Sequence, residues 1–253
     1  KDIFVHSVAL VTTAIVQMYE KLKNEPELSR ALGVTTLFEA QTRGCVLGFD
    51  NRFGGPLLAT VVAQVLAAKG FRVYFAGEST TGVLSAAILK LHAAFSINLT
   101  PSHNPLEYGG YKFNAADAGP AASAVTERIT ANARALAEQD CNPEAIPQSI
   151  EEVMARYDLV QPIDSLATWK QLVHENRQTH GLDLAQAVAA FSQRDDMVVA
   201  VDCVHGASRL HIRRLFENVR QSSLHILRDW VDVTFGGVAP EPSFVNMRDV
   251  VET

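Results

Sequence analysis

Cysteine is scarce in this chain of 253 residues. Only Cys45, Cys141 and Cys203 occur, far apart and in no C-x-x-C or Cys/His cluster, which excludes a structural zinc and a disulfide framework and fits a reduced compartment. Positive charge is also in deficit. The formal net charge is −6 and the Lys and Arg residues are scattered, so neither a nucleic-acid platform nor an anionic-membrane surface is expected. An anionic small molecule is still open, because a few placed cations suffice for one phosphate. No apolar run approaches transmembrane length, and no leader precedes the first helical pattern, so a cytoplasmic protein is expected. No G-x-G-x-x-G or P-loop follows an early strand, which weighs against a Rossmann-type nucleotide-binding domain. The absence of G-x-S-x-G weighs against an α/β-hydrolase elbow.

With 47% hydrophobic and 20% charged residues, the chain has material for a substantial core. Its layout alternates. A helical pattern over 4–23 is followed by an apolar strand, "GCVLGFD" (44–50), and by a helix opened by Pro56 and closed by Gly70. A strand (71–77), a helix (82–93) and a third strand, "AFSINLT" (94–100), come next. The third strand carries Ser96, Asn98 and Thr100 on one face, which predicts an edge position or a polar support for the loop beyond it. Residues 101–121 read as loop and 123–138 as helix; the polar stretch 141–149 begins a boundary, and 150–193 reads as helical. Alternation then restarts with strand 197–204, helix 207–219 and strand 224–229, with another helix beginning near Asn246. The fold class expected is α/β: a layered α/β/α domain with a mixed, mostly parallel sheet over 1–150, repeated as a second, incomplete domain of the same kind over 151–253.

The polar residues after the strands are the candidates for chemistry. Ser102 follows the carboxyl end of a strand, where open α/β sheets place ligands, and Pro101 and Pro105 stiffen the segment between them. On spacing alone the commoner reading of "PSHNP" is a tight turn, with Ser102 and Asn104 as turn formers. His103, taken alone, reads as a loop hydrogen-bonder. Gly109 and Gly110 permit a sharp reversal that would carry Lys112 back toward the serine, with Tyr111 and Phe113 pointing the other way; a solvated lysine is the plainer alternative. Arg52 suits a phosphate or an ion pair with Asp50 equally well. Asp202, Cys203 and His205 match no metal template and read as structural.

Together these stretches resemble the α-D-phosphohexomutase family, which includes phosphoglucomutase and phosphomannomutase. "TPSHNP" (100–105) matches the family's T-[AP]-S-H-N-P, and "GGYK" (109–112) places a lysine ten residues after the serine. "GFDNR" (48–52) matches G-x-D-x-R, and "KFNAADAGPAA" resembles the K-[FY]-N-x-x-x-G-G-P-A of glucose-specific members, with Ala118 in place of the first glycine. The match is strong over 44–121, extends more loosely through "VVAVDCVHGAS" and "EPS", and is faint between 140 and 195. The resemblance implies that Ser102 carries a phosphoryl group exchanged with a hexose monophosphate through a hexose 1,6-bisphosphate. His103, Asn104 and Lys112 would contact the substrate, Lys112 as acid or base, and Arg52 would help hold the phosphoryl group. Mg2+ would bind an oxygen of phosphorylated Ser102. The implied partner is a small sugar phosphate, glucose favoured over mannose. The sequence lacks the family's opening G-T-S-G or D-x-R-G segment, the D-G-D-x-D-R magnesium loop and the G-E-x-S-G-H sugar loop; "GESTTG" (77–82) precedes the serine and is not the last of these. The expectation is therefore an N-terminal portion, inactive by itself, with the metal loop a little beyond Thr253. A non-catalytic member of the fold, acting as a phosphorylatable binding or regulatory protein, is the alternative.

Overall fold

The computed structural model describes residues 4–139 and 147–252; Cys141 and most of the expected boundary stretch lie outside them. Helices α1 (Val5–Glu20), α2 (Pro26–Leu32) and α3 (Leu37–Arg43) lead into β1 (Cys45–Phe49). Then follow α4 (Gly55–Ala68), β2 (Val73–Glu78), α5 (Thr81–Leu91), β3 (Phe95–Leu99), β4 (Lys112–Asn114) and α6 (Ser123–Glu138). Beyond the undescribed stretch come α7 (Ile150–Arg156), β5 (Val160–Pro162), α8 (Ser165–Glu175), α9 (Arg177–His180) and α10 (Leu184–Ser192). The chain continues through β6 (Val199–Asp202), α11 (Arg209–Leu215), β7 (Leu224–Leu227) and α12 (Arg248–Val251).

Five strands form one sheet in the order β4-β3-β1-β2-β5, parallel except for β4, which runs antiparallel to β3. Alternation along β1 decides its two faces. Cys45, Leu47 and Phe49 enter a large core with α1, α4, α6 and α7, while Val46 enters a smaller one with Leu84, Ala87 and Ile88 of α5. Helices therefore cover both faces, as the sequence leads one to expect. A run of rings fastens the larger core: Tyr19 stacks on Phe95 at 5.1 Å between centroids, Phe71 meets Phe95 edge-on at 5.9 Å, and Phe95 stacks on Phe113 at 5.4 Å.

Three details differ from the reading of the sequence. The polar face of β3 does not mark an edge. All five residues of β3 are buried, and the edge belongs to β4, a short strand within the expected loop, which pairs Phe113 with Ile97 and Lys112 with Asn98. The side-chain amide of Asn98 donates to Thr81 Oγ1 at 3.1 Å, which gives this buried polar residue a role behind the loop. The stretch from 150 contains a strand as well as helices: β5 joins the first sheet beside β2 and α7 packs on α4, so that sheet takes in residues beyond the expected boundary at 150. In the remaining segment β6 and β7 pair in parallel across α11, giving a two-stranded sheet among the described residues. No helix of the described residues is long and apolar enough to cross a membrane.

Candidate active site

From β1 the chain passes to β2 on one side and returns as β3 on the other, so the two strands stay paired to Phe49 and Leu99 while the connections on either side of them lead apart. Such a switch point is where open α/β sheets leave a crevice. Asp50 to Arg52 leave β1 there and Thr100 to Pro105 leave β3, with the Asp50 N–H bonded to the Leu99 carbonyl at 3.2 Å.

Ser102 is exposed and has φ of 63°, in the left-handed region that a non-glycine residue enters only when held. Its Oγ accepts a hydrogen bond from Lys112 Nζ. That contact depends on Gly110. A Cβ there would run into the Thr100 carbonyl and lie 2.5 Å from Pro101 N, so glycine is required for close approach of the two segments. Beyond it β4 sends Phe113 into the core, and Tyr111 bonds through its hydroxyl to Thr12 Oγ1 at 2.9 Å; Lys112 takes the opposite side, as its place in the strand requires. The structure thus brings Ser102 and Lys112 together. His103 and Asn104 are exposed beside them, and the Asn104 carbonyl, rather than its side chain, makes the contact that defines the loop.

Arg52 takes up the ion pair with Asp50 that its sequence position allowed. Its guanidinium has five N–H donors, and all five have acceptors here. Nε meets Asp50 Oδ2 at 3.3 Å, one terminal nitrogen meets the carbonyls of Pro105 (2.9 Å) and Tyr108 (3.4 Å), and the other those of Asn104 (2.6 Å) and Ser102 (3.3 Å). Arg52 is a clamp that gathers the carbonyls of the serine loop around one cation, with its guanidinium carbon 5.4 Å from the centre of the Phe235 ring.

Asp50 completes the frame. Its Oδ1 accepts the Arg52 N–H at 3.1 Å and its Oδ2 the Thr100 hydroxyl at 2.6 Å. Burial pushes the Asp50 carboxyl above the usual carboxylate range, against the pull of the Thr100 and Arg52 hydrogen bonds. Sequence reasoning passed over Asp50 and Thr100 as functional residues, although both lie within the motifs it singled out.

The second segment closes one side of the site. Asn51 donates to the carbonyls of His205 (2.7 Å) and Asp232 (3.0 Å), and Glu78 forms a bidentate pair with buried Arg209. Between the segments lies a cavity of about 150 Å³ whose lining includes Ser102, Thr80, Thr81, Asn98, Gly206 and Phe235. Asp202, read as structural, is shielded and paired with Arg228; His205 turns its ring edge to Trp230 with centroids 4.7 Å apart.

A family model for the phosphoglucomutase/phosphomannomutase α/β/α domain I matches residues 12–140. The chain belongs to this family. Human phosphoglucomutase-1 is 24% identical over 94% of the chain, and mouse phosphoglucomutase-like protein 5 is 24% identical over 83% of it. The chain spans 44% and 39% of those proteins, less than half their length. Among solved structures, a Thermus thermophilus protein assigned as a phosphomannomutase superposes with a TM-score of 0.66 at 22% identity, covering 100% of this chain and 48% of its own. That likeness establishes the fold. The family match covers both strands that carry the serine loop and its clamp, so this phosphohexomutase domain I has its serine, lysine, aspartate and arginine at one sheet edge.

Proposed function

We propose that the chain is the N-terminal portion of a phosphohexomutase that interconverts hexose 1-phosphate and hexose 6-phosphate, with Ser102 as phosphoryl carrier. The observation that carries this reading is the Lys112 ammonium on Ser102 Oγ, delivered by the turn at Gly110. In the first transfer the bond from Ser102 Oγ to phosphorus breaks as a bond from the sugar oxygen to the same phosphorus forms. The Lys112 ammonium is placed to give a proton to Oγ as it leaves and to take the sugar hydroxyl proton in exchange, so that it ends charged as it began. The bisphosphate then turns round and returns its other phosphoryl group to Oγ by the same exchange in reverse. Catalysis of this kind relies on positioning and on cations around the moving group, and Lys112 supplies one. The stretch "KFNAADAGPAA" favours glucose over mannose phosphate as substrate.

The resemblance also implies Mg2+. Among the described residues no group of three or more His, Cys, Asp or Glu side chains is placed to hold a metal ion. Among the described residues the donor set for a cation is thus not met beyond an oxygen of phosphorylated Ser102.

The test uses the full-length protein containing this chain. After incubation with glucose 1,6-bisphosphate and magnesium, peptide mass spectrometry should place one phosphate on Ser102, and a coupled assay should show interconversion of glucose 1- and 6-phosphates. Phosphate on Ser96 or Ser123 instead would overturn the assignment. Phosphorylated Ser102 without turnover would leave a phosphorylatable, non-catalytic protein.

A further inference from the structure

The left-handed backbone of Ser102 needs a cause, and the hydrogen bonds beneath it supply one. Both Asp50 oxygens accept, Oδ1 from the Arg52 N–H and Oδ2 from Arg52 Nε and Thr100 Oγ1, so the threonine hydroxyl has a fixed direction: its hydrogen faces Asp50. The lone pairs of Oγ1 are left for the Ser102 N–H, which donates to them at 3.1 Å. Asp50 is itself fixed by the main-chain N–H and Nε of Arg52. Thr100 is buried, 6% exposed, and its own N–H turns back to the Asn98 carbonyl at 3.1 Å, so the hydroxyl has little freedom to look elsewhere.

We propose that Thr100 is a positioning residue for phosphoryl transfer: its hydroxyl, aimed by Asp50, holds the Ser102 amide so that the residue stays left-handed and Oγ stays against the Lys112 ammonium. This inference rests on reading Ser102 as the phosphoryl carrier. Thr100 reaches the reaction only through the backbone of Ser102. Removing its hydroxyl frees that backbone to relax toward ordinary extended geometry, which swings Oγ away from Lys112.

The experiment compares wild type, Thr100→Val and Thr100→Ser in the full-length protein, loaded with glucose 1,6-bisphosphate. Phosphoserine is counted by mass spectrometry, so that kcat is expressed per phosphorylated site. Valine keeps the shape without the hydroxyl and should lower kcat per phosphorylated site roughly 10- to 100-fold, the scale of a misplacement near 1 Å, with KM for hexose phosphate unchanged. Serine restores the hydroxyl and should recover most of the loss. Wild-type kcat per phosphorylated site in Thr100→Val overturns the proposal, whether or not that variant melts earlier, because a purely structural residue would change only the folded fraction.

A second measurement needs no variant. In the wild-type protein, hydrogen exchange resolved to single amides should find the Ser102 amide slower than that of exposed His103 beside it. Equal rates would overturn the proposal even if Thr100→Val cannot be purified. A wild type that takes no phosphate on Ser102 removes the functional reading and this inference with it. A phosphorylated, active wild type matched by Thr100→Val removes only the role of Thr100.

Discussion

Replacing Gly110 by alanine adds one methyl group at the tightest point of the site. The new Cβ would meet the Thr100 carbonyl and lie 2.5 Å from Pro101 N, both backbone atoms that no rotamer change can move. Restoring ordinary carbon contact requires the two segments to part by about 1 Å. Parting them draws Lys112 Nζ off Ser102 Oγ, because only Tyr111 separates Gly110 from Lys112. Overpacking of this kind costs about 1–3 kcal/mol, and a displacement near 1 Å at a reacting group costs on the order of 100-fold in rate. If Ser102 is the phosphoryl carrier proposed above, Gly110→Ala in the full-length protein should therefore lose roughly two orders of magnitude in kcat and melt several degrees lower. Gly82, in the first turn of α5, is the contrast: a Cβ there has nothing within 4 Å, and Gly82→Ala should stabilise by roughly 0.5–1 kcal/mol. Coupled turnover and thermal melts report both variants. Near-native turnover in Gly110→Ala would show that the close approach of the loops does not set the position of Lys112.

Lys112→Ala should lower kcat by roughly 10²- to 10⁴-fold with little change in melting temperature, since the side chain is only half-buried and its one described hydrogen bond goes to Ser102; activity within a few-fold of wild type in the coupled assay would return it to the solvated lysines. Glu78→Gln leaves the buried Arg209 guanidinium without its anion, which should cost about 3–5 kcal/mol and raise protease sensitivity around 205–235; unchanged limited proteolysis and denaturant midpoint would argue against a tight pair. Burial opposes ionisation of Asp202, yet the Arg228 hydrogen bonds, the Val204 N–H and the Arg228 charge together outweigh it and hold its carboxyl below the ordinary 3.8. Its stabilisation is then present above pH 3.8 and lost as pH falls through the lower folded value, so Asp202→Asn should flatten the acid side of a stability profile measured by thermal melts. Parallel profiles would refute that assignment.

The alternation of the first half was legible because β1 is an apolar run, β3 alternates apolar with polar residues, and α4 carries its punctuation in Pro56 and Gly70. Two strands escaped that reading for a common reason. β4 and β5 have three residues each, too few to show a period, and they exist through the partner each finds: Ile97 for Phe113, and Phe75 for Pro162. The site was legible as far as its motifs reached, and Ser102 and Lys112 meet as their spacing suggested. The ion pair of Arg52 with Asp50 was one of two roles open in the sequence, but the carbonyls around its guanidinium were not legible, since they depend on how a loop 50 residues away closes over it. Nothing in "TPSHNP" announces a left-handed serine either; that conformation follows from a threonine hydroxyl whose direction is set by an aspartate just past another strand. The contribution of Phe235 arises from tertiary contact alone.

Residues 50–52 face three ways in succession. Asp50 serves the floor of the serine loop, Asn51 grips two carbonyls of the following segment, and Arg52 gathers the loop from above while lying against Phe235. The tripeptide is therefore a mechanical pivot common to both segments. Any rotation of the 197–252 segment relative to the first sheet must pull on Asn51 or slide Phe235 across Arg52, and either movement acts on the same three residues that set the attitude of Ser102. Strain applied at one segment arrives at the serine through this tripeptide, with the Arg52 guanidinium touching both Phe235 and the Ser102 carbonyl.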